Sequence, residues 1–331
     1  VEVEGGVALG AGSIANVAKG QVGVDVTGAD HSNDTTGTWV STEAAVAVGD
    51  AENGVTRQIT GVAAGTKDTD AVNVAQLKGS STHYYSVNTD SPAQLFGAVD
   101  GAGSNYDNKG ATAAGGLAAG LYASTGGIAS TVSGMGSQVK TSSKLQGAAS
   151  SIYGTMNTID ASGNEPFDGV ANSIVGVANS TKGSNGAVIM GAGNTVEDSY
   201  GDVALDTSGL TGDNLVEKLQ EAVGTSGGQV LALGGANTVT GGSRTSVIGV
   251  SNTAEGTTDV SIMGSDNSVS GSEDVIVTGN KRSVSDADHS IILGSATSED
   301  GLSTTASRAV VLGTDANVEK DGGVALGAGS I

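Results

Sequence analysis

The chain of 331 residues has no cysteine, two prolines and only 3% aromatic residues. Without cysteine it has neither disulfide cross-links nor thiolate ligands for a metal. It contains 14 Lys and Arg against 35 Asp and Glu, which gives a formal net charge of −21. This balance argues against nucleic acid and anionic membranes as partners, because both attract clustered basic residues. No apolar run reaches the roughly 18 residues of a membrane-spanning helix, so we expect no direct membrane insertion by this segment.

Glycine is present in excess, with 55 residues, and the bulky side chains are mostly Val, Ile and Leu scattered among small and polar residues. This composition is typical of a thin core that repeats many times rather than of one thick globular core. Apolar residues make up 37% of the chain, and they recur periodically. The periodicity distinguishes the chain from a disordered segment.

A short apolar run that ends in glycine recurs in the second half of the chain, mostly at steps of 14 or 15 residues. The copies end at Gly191, Asp206 (a variant without glycine), Gly234, Gly249, Gly264, Gly279, Gly294, Gly313 and Gly327. A second apolar marker stands five residues after most of these glycines, at Val196, Val239, Ala254, Val269, Val284 and Val318. A coil of this length holds two strands of about five residues and two tight turns. The repeat therefore predicts a solenoid of stacked coils, a parallel β-roll.

Apolar residues alternate within the first strand of each coil, as in Val188 and Met190 or Ile291 and Leu293. A period of two indicates a half-buried strand, so we expect these side chains to pack inside the coil. The glycine at the end of the strand is expected to adopt positive φ or to allow close packing of the next coil.

One step of the repeat is wider, at 28 residues between Asp206 and Gly234. Within it, Asn214 and Glu217 fit a capping box, and the following residues place Leu, Ala and Val on one helical face. We expect an insertion over 207–227 that contains a short helix.

Residues 57–78 read RQITGVAAGTKDTDAVNVAQLK. This stretch resembles the neck of trimeric autotransporter adhesins with YadA-like heads, almost without gaps. The sequence HSIILGSAT at 289–297 is similar to the head repeat of the same family. HYYSVN at 83–88, followed by GATAAGGLAAG at 110–120, resembles the passage from a neck into a further head.

The resemblance implies an all-β homotrimer of left-handed parallel β-rolls with coils of 14–15 residues. It divides the chain into the C-terminal end of a first head (1–49), a neck (50–79), a connector (80–110) and a second head (111–331). The neck positions that match, and that are expected to form the trimer clasp, are Arg57, Gln58, Asp68, Asp70, Asn73, Val74, Gln76 and Leu77. The decapeptide GGVALGAGSI occurs at both Gly5–Ile14 and Gly322–Ile331, as expected of a slice through a modular fibre.

The family also implies a function for the chain. We expect an extracellular segment of a bacterial surface adhesin, anchored to the outer membrane by a C-terminal barrel outside this sequence, with no cofactor and no enzymatic activity. Its expected partners are host matrix, host cells or other bacteria. Equivalent side chains of stacked coils lie about 4.8 Å apart, so ligand-facing residues should form a ladder, with Ser251, Asp266 and Asn280 as candidates.

Two alternatives stay open at this point. The segment is a passive spacer of the fibre without a ligand of its own or, more remotely, a β-helical polysaccharide-active enzyme. Catalytic motifs match only out of context: GTSGG at 224–228 follows a predicted helix rather than the strand of a nucleophile elbow, and GAGSIA at 10–15 lacks the helix of a dinucleotide site. The three histidines His31, His83 and His289 lack metal-ligand spacing, so we expect no metal site.

Overall fold

The computed structural model describes residues 1–25, 30–80, 105, 108–143, 145–163, 167–199, 211, 214, 217–218, 220–221, 229–298 and 301–331. The chain forms two compact units, Val1–Ser86 and Val87–Ile331. The predicted connector at 80–110 and the predicted insertion at 207–227 lie largely outside the described residues. The described residues of the insertion that are helical are 217, 218, 220 and 221.

The first unit contains two short strands and one short helix: β1 (Val7–Ala8), β2 (Val46–Ala47) and α1 (Val74–Gly79). Strands β1 and β2 are parallel. Helix α1 begins at a capping box, in which the Asn73 side chain accepts from the N–H of Gln76 and the Gln76 side chain accepts from the N–H of Asn73. Six residues are too few for a helix to be stable alone, so its contacts with the preceding loop decide its stability.

The second unit is a roll in which most coils contribute one strand to each of two parallel sheets. The 12-stranded sheet, called the long sheet, consists of β3 (Leu117–Ala119), β5 (Thr131–Ser133), β7 (Ser151–Thr155), β9 (Ser173–Val177), β11 (Val188–Ala192), β13 (Val230–Gly235), β15 (Thr245–Val250), β17 (Ser261–Ser265), β19 (Ile276–Asn280), β21 (Ile291–Leu293), β23 (Val310–Leu312) and β24 (Val324–Leu326). The 10-stranded sheet, called the short sheet, consists of β4 (Ser124–Thr125), β6 (Gln138–Thr141), β8 (Thr158–Ala161), β10 (Ser180–Lys182), β12 (Thr195–Glu197), β14 (Thr238–Thr240), β16 (Thr253–Glu255), β18 (Ser268–Ser270), β20 (Arg282–Ser285) and β22 (Leu302–Thr304). The predicted parallel β-roll is thereby confirmed.

The core is a thin one, made of one column of side chains from each sheet. The long sheet contributes Val132, Ile152, Ile174, Ile189, Ala232, Val247, Ile262, Val277, Ile292, Val311 and Ala325, all buried. The short sheet contributes Val139, Ile159, Val196, Val239, Ala254, Val269 and Val284, also buried. The second column contains the apolar markers that recur in the sequence. A further buried position stands two residues before the long-sheet column, at Ala187, Val230, Val260, Val275 and Ala309. All these core side chains are Ala, Val or Ile, which fits a narrow coil and the scarcity of aromatic residues.

The side chains that alternate most clearly in the sequence face outward, so their predicted inward orientation is wrong. Val188 and Met190 are 44% and 49% exposed, whereas Ile189 between them is fully buried. Ile291 is likewise 42% exposed beside the buried Ile292. Because both faces of the long sheet carry apolar residues, a period of two does not distinguish the inner face from the outer one.

A glycine stands near the end of the strands of the long sheet because the next coil passes directly beside it. Gly249 and Gly264 have φ of +136° and +140°. A Cβ at Gly264 would lie only 1.7 Å from the carbonyl oxygen of Gly279 in the next coil. Both predicted reasons for glycine, positive φ and close packing, apply at this position.

Buried asparagines after the glycine turns form a hydrogen-bonded ladder through the roll. The Nδ2 of Asn252 donates to Asn237 Oδ1 at 2.9 Å and to the carbonyl of Gly264 at 2.8 Å. The ladder consists of Asn157, Asn179, Asn194, Asn237, Asn252 and Asn267. The ladder provides hydrogen-bond partners both for the buried side-chain amides and for the carbonyls of the glycine turns, as expected of buried polar groups.

The roll continues directly across the insertion. Gly191 of β11 pairs with Gly234 of β13, and Asn237 donates to Asn194, which lies 43 residues earlier. The predicted copy that ends at Asp206 lies outside the described residues, as does most of the predicted insertion at 207–227.

Candidate assembly and ligand-binding surfaces

Arg57 of the predicted neck binds the loops that follow β1 and β2. Its Nη1 donates to the carbonyl of Val48 at 2.7 Å and to Ser13 Oγ at 3.1 Å, and its Nη2 donates to the carbonyl of Ala11. The guanidinium lies over Gly10, where a Cβ would be 2.9 Å from Cζ. These charge-assisted hydrogen bonds connect the predicted neck to the predicted head-end segment within one chain.

Asn73 and Gln76 fasten α1 to the loop before it. The Gln76 Oε1 accepts from the N–H of Gly65 at 3.1 Å, and its Nε2 donates to the carbonyl of Gly65 at 3.0 Å. The Asn73 Nδ2 donates to the carbonyl of Val62 at 3.2 Å. Both side chains are used within the chain, so they position the helix rather than reach outward.

Asp70 closes the turn that precedes α1. Its Oδ2 accepts from the N–H of Thr66 at 2.8 Å and of Lys67 at 3.0 Å. The hydrogen bond from the Thr66 N–H lowers the pKa of Asp70, because it stabilises the carboxylate. The other predicted polar neck residues, Gln58 and Asp68, are exposed.

Large apolar side chains of the predicted neck are exposed. Val74 is 67% exposed and Leu77 is 65% exposed, and the two share a helix face at a spacing of three residues. Ile59 and Val72 are 70% and 68% exposed. Exposed apolar side chains in this number are available for contact with another chain.

The outer face of the long sheet carries two columns of partly exposed apolar residues. One column contains Leu117, Val188, Ile276, Ile291, Val310 and Val324, and the other contains Tyr153, Val175, Met190, Met263, Leu312 and Leu326. We call this surface the apolar face. Hydroxyl side chains interrupt both columns, namely Thr131, Ser151, Ser173, Ser246 and Ser261 in the first and Ser133 and Thr278 in the second. The apolar runs between them are exposed and available for contact with another chain.

The outer face of the short sheet is polar instead. One column consists of the hydroxyl side chains Thr158, Ser180, Thr195, Thr238, Thr253, Ser268 and Ser283. Beside it, Lys140, Asp160, Lys182 and Glu197 alternate in charge on neighbouring strands. The two sides of the roll therefore differ, with one suited to subunit contact and the other to water or a polar ligand.

The predicted ligand ladder lies at the turns between the two sheets, with one member out of register. Ser251 and Asp266 are exposed at equivalent turn positions with φ of +56° and +59°, and Lys281 is the next member with φ of +58°. Asn280 pairs instead with Ser265, and its Oδ1 accepts from the N–H of Ser265 at 2.8 Å. The in-register ladder is Ser251, Asp266 and Lys281, and the Asn280 side chain is engaged with the backbone.

Among the described residues, no group of three or more His, Asp or Glu is placed to hold a metal ion. His31 stacks on Trp39 with ring centroids 4.2 Å apart, and its hydrogen bond to Asp25 raises the pKa of the imidazole. His83 and the GTSGG sequence at 224–228 lie outside the described residues. Helices in the described part of the chain are all too short or too polar to cross a membrane.

Comparison with known proteins finds similarity to autotransporter adhesins. Residues 58–89 match the family model described as the coiled stalk of trimeric autotransporter adhesin. The autotransporter adhesin BadA of Bartonella henselae is 56% identical over 72 residues, which is 22% of this chain and 2% of that protein. The trimeric autotransporter adhesin AtaA of Acinetobacter sp. (strain Tol 5) is 52% identical over 68 residues, which is 20% of this chain and 2% of that protein.

The matched stretch is short relative to these relatives, since this chain covers about 2% of the length of each. Within the chain, the family-model match starts directly after Arg57 and includes α1. Over the segment that they cover, the similarities support the family of trimeric autotransporter adhesins.

Proposed function

We propose that this chain is an extracellular segment of a homotrimeric bacterial surface adhesin that attaches the cell through many weak contacts. The observation that carries this proposal is the identity of 56% over 72 residues with an autotransporter adhesin. A second relative is named as a trimeric adhesin. The thin roll and the exposed apolar side chains give the physical reason for the trimer.

Trimer formation buries the surfaces that one chain leaves exposed. The apolar face of the second unit and the pair Val74 and Leu77 of the first unit are the two subunit contacts that we propose. In a closed ring of three identical subunits, every subunit makes the same contacts with its two neighbours, so one set of exposed residues is enough to form all the interfaces. In this arrangement 1–49 and 111–331 are parts of two heads and 50–79 is the neck between them.

Attachment then depends on the surfaces that point away from the trimer. The ladder of Ser251, Asp266 and Lys281 repeats in three subunits, so each trimer presents three equivalent arrays of polar side chains. Contacts that are weak singly become strong attachment when many engage together. Host matrix, host cells and other bacteria are the partners that we propose, without an enzymatic step.

To test this proposal, all three ladder residues are replaced together, and the number of attached cells is measured. Ser251, Asp266 and Lys281 are changed to Ala together on surface-displayed protein, and alanine fits because Ala236 has φ of +52° at the equivalent turn. The control changes the outward residues Glu255, Ser270 and Ser285 of the same coils to Ala. We expect the ladder variant alone to lose attachment to matrix proteins or partner bacteria.

The outcome also separates the adhesin from a spacer. If the ladder variant folds and attaches as well as the parent does, this part of the chain carries no ligand contact and acts as a spacer. A loss in the control variant alone would place the ligand contact on the short sheet instead, and an equal loss in both variants would show that attachment does not depend specifically on the ladder.

A further inference from the structure

His31 lies in a segment of the first unit that leaves the body of the unit and returns to it. At the base of this segment, the N–H of Ala45 donates to the carbonyl of Val17 at 3.0 Å. Above the base, an outgoing stretch (20–25) and a returning stretch (34–41) pair antiparallel, and the N–H of Gly23 donates to the carbonyl of Trp39 at 2.7 Å. His31 stands between the two stretches in sequence and contacts both of them through its side chain.

Each ring nitrogen of His31 faces a carboxylate. Nδ1 lies 2.8 Å from Asp34 Oδ2 in the returning stretch, and Nε2 lies 2.9 Å from Asp25 Oδ2 in the outgoing stretch. An ionised carboxylate only accepts hydrogen bonds, and a neutral imidazole has a single N–H. Two contacts of this length therefore require a proton on both ring nitrogens, so that His31 carries a positive charge.

Trp39 covers one face of the same ring. The two ring centroids are 4.2 Å apart and the ring planes are inclined by only 6°. A charged imidazole over an indole face gains a cation–π attraction that the neutral ring lacks. The His31 side chain is 17% exposed and that of Asp25 is 10% exposed, so water competes little for these contacts. The charged ring thus connects the two stretches through an ion pair on one side and a stack on the other.

We propose that His31 is a proton-dependent latch, which holds the two stretches together when its ring is charged and loosens them when the ring is neutral. Loss of one proton turns a ring nitrogen into an acceptor, which then faces a carboxylate that also accepts only. One of the two carboxylate contacts must therefore break. The cation–π attraction to Trp39 disappears with the charge.

The direction of the pH dependence follows from the groups that face the ring. The hydrogen bond to Asp25 raises the pKa of His31 most, Asp34 raises it further, and burial acts in the opposite direction with a smaller effect. The carboxylate of Asp30 also interacts with the ring charge. The contribution of the latch to stability is complete below the unfolded pKa of about 6.5 and is lost as the pH rises through the higher folded pKa.

The fluorescence of Trp39 tests the latch in the full chain, because this residue is the only tryptophan. A stacked imidazolium quenches indole emission more strongly than a neutral imidazole does. Between about pH 5 and about pH 9, below the ionisation of tyrosine, we expect emission to rise with a midpoint above 6.5. Asp25→Asn should move this midpoint down towards about 6.5, because it removes a charge that favours the imidazolium.

Two control variants separate the latch from other titrations. His31→Phe keeps a stacked ring without a titrating proton, so its emission should not change over this pH range. His289→Gln removes a histidine of the second unit, which faces Asp274 at 3.3 Å, and should leave the midpoint of the parent unchanged. A midpoint at or below 6.5, or one that Asp25→Asn does not lower, would overturn the charged state of His31.

Acrylamide quenching of Trp39 then measures whether the segment loosens. We expect access of acrylamide to the indole to increase above the midpoint in the parent and to stay constant in His31→Phe. Asp34→Asn, which keeps an acceptor but removes the charge, should shift this increase to lower pH. If access stays constant across a raised midpoint, His31 is charged without holding the stretches together, and the latch is wrong.

Discussion

Single glycines set the spacing of the roll at the residue scale. A coil approaches the next one most closely where the backbone has no Cβ, and at Gly264 that approach leaves no room for one. Not every glycine of the roll has such a neighbour. At Gly256, with φ of +57°, a Cβ would meet nothing within 4 Å. Two glycines eight positions apart are therefore present for different reasons.

Substitution of these two glycines distinguishes the effect of close packing from the effect of positive φ alone. Gly264→Ala should destabilise the roll by about 3 kcal/mol or more, because the backbone strain and the clash with Gly279 add. Gly256→Ala meets only the cost of the left-handed conformation, about 1 kcal/mol. Thermal denaturation followed by circular dichroism measures both, and equal melting temperatures would contradict the close packing at Gly264.

Asp168 is a residue whose burial predicts a pH dependence. Its side chain is 2% exposed, and its Oδ1 has no hydrogen-bond partner among the described residues. Burial raises the pKa of this carboxyl, and the nearby Asp160 raises it further. Because the pKa of Asp168 is raised in the folded state, its protonated form favours folding. This contribution to the free energy of unfolding is complete below the unfolded pKa of about 3.9 and is lost as the pH rises through the folded pKa.

Asp168→Asn should therefore be more stable than the parent at pH 7. Because asparagine does not titrate, the variant should not lose stability as the pH rises through the folded pKa of Asp168. The difference between the two proteins should shrink as the pH falls towards about 4, where the parent carboxyl is protonated. Chemical denaturation at a series of pH values checks the prediction. A parent that gains stability relative to the variant as the pH rises would contradict it.

At the scale of elements, the asparagine ladder changes to an arginine near the last coils. Arg282 occupies the next position of the ladder after Asn267. Like the asparagines, it donates its backbone N–H to the preceding side chain, here Asn267 Oδ1 at 3.0 Å. Its buried side chain donates to the carbonyls of Gly294, Gly313 and Ala316 at 2.6, 3.0 and 2.7 Å. One side chain thus satisfies carbonyls from successive coils.

Variants of Arg282 should affect these last coils selectively. Arg282→Ala leaves three carbonyls without this donor and should cost about 3 kcal/mol or more. Arg282→Asn extends the ladder and keeps a donor for Gly294, so it should cost less. Hydrogen exchange should show faster opening of β21 and β23 than of β15 in both variants. Uniform loss of protection along the roll would show that the coils do not depend on Arg282 individually.

The repeat allowed the elements to be predicted, but not their orientation. The spacing of Gly249, Gly264 and Gly279 and of their partner column is a direct consequence of coil stacking, so the parallel roll follows from sequence. The inner face does not, because Val188 and Met190 are as apolar as Ile189 and only the width of the coil decides between them. Asn280 was placed in the ligand ladder by its distance from a glycine, whereas pairing with Ser265 puts it one column away.

At the scale of the whole molecule, each unit leaves apolar side chains exposed. In the roll many of them lie on the outer face of the long sheet, and in the first unit they include Val74 and Leu77 of α1. The outer face of the short sheet is polar, and the chain carries a net charge of −21, which disfavours nonspecific association by electrostatic repulsion. Burial of the apolar face in the proposed trimer would remove these side chains from water without any change of fold, because they already point outward from the long sheet.

Leu77→Asp tests the trimer at the first unit. Leu77 is 65% exposed, so the change costs a single chain little. In a trimer it places three carboxylates close to one another in an apolar contact, and their repulsion and desolvation should weaken association at least tenfold. Sedimentation equilibrium distinguishes the 31.9 kDa chain from its trimer.

The control is Ala75→Asp, which adds the same charge to α1 on a different helix face. A trimer that tolerates Ala75→Asp and dissociates with Leu77→Asp places the contact on the face of Val74 and Leu77. Met263→Asp applies the same argument to the apolar face, where Met263 is 49% exposed. If the parent sediments as a monomer at micromolar concentration, the trimer is wrong. If Met263→Asp leaves a stable trimer intact, the subunits meet at another surface of the roll, and the apolar face is left for an external partner.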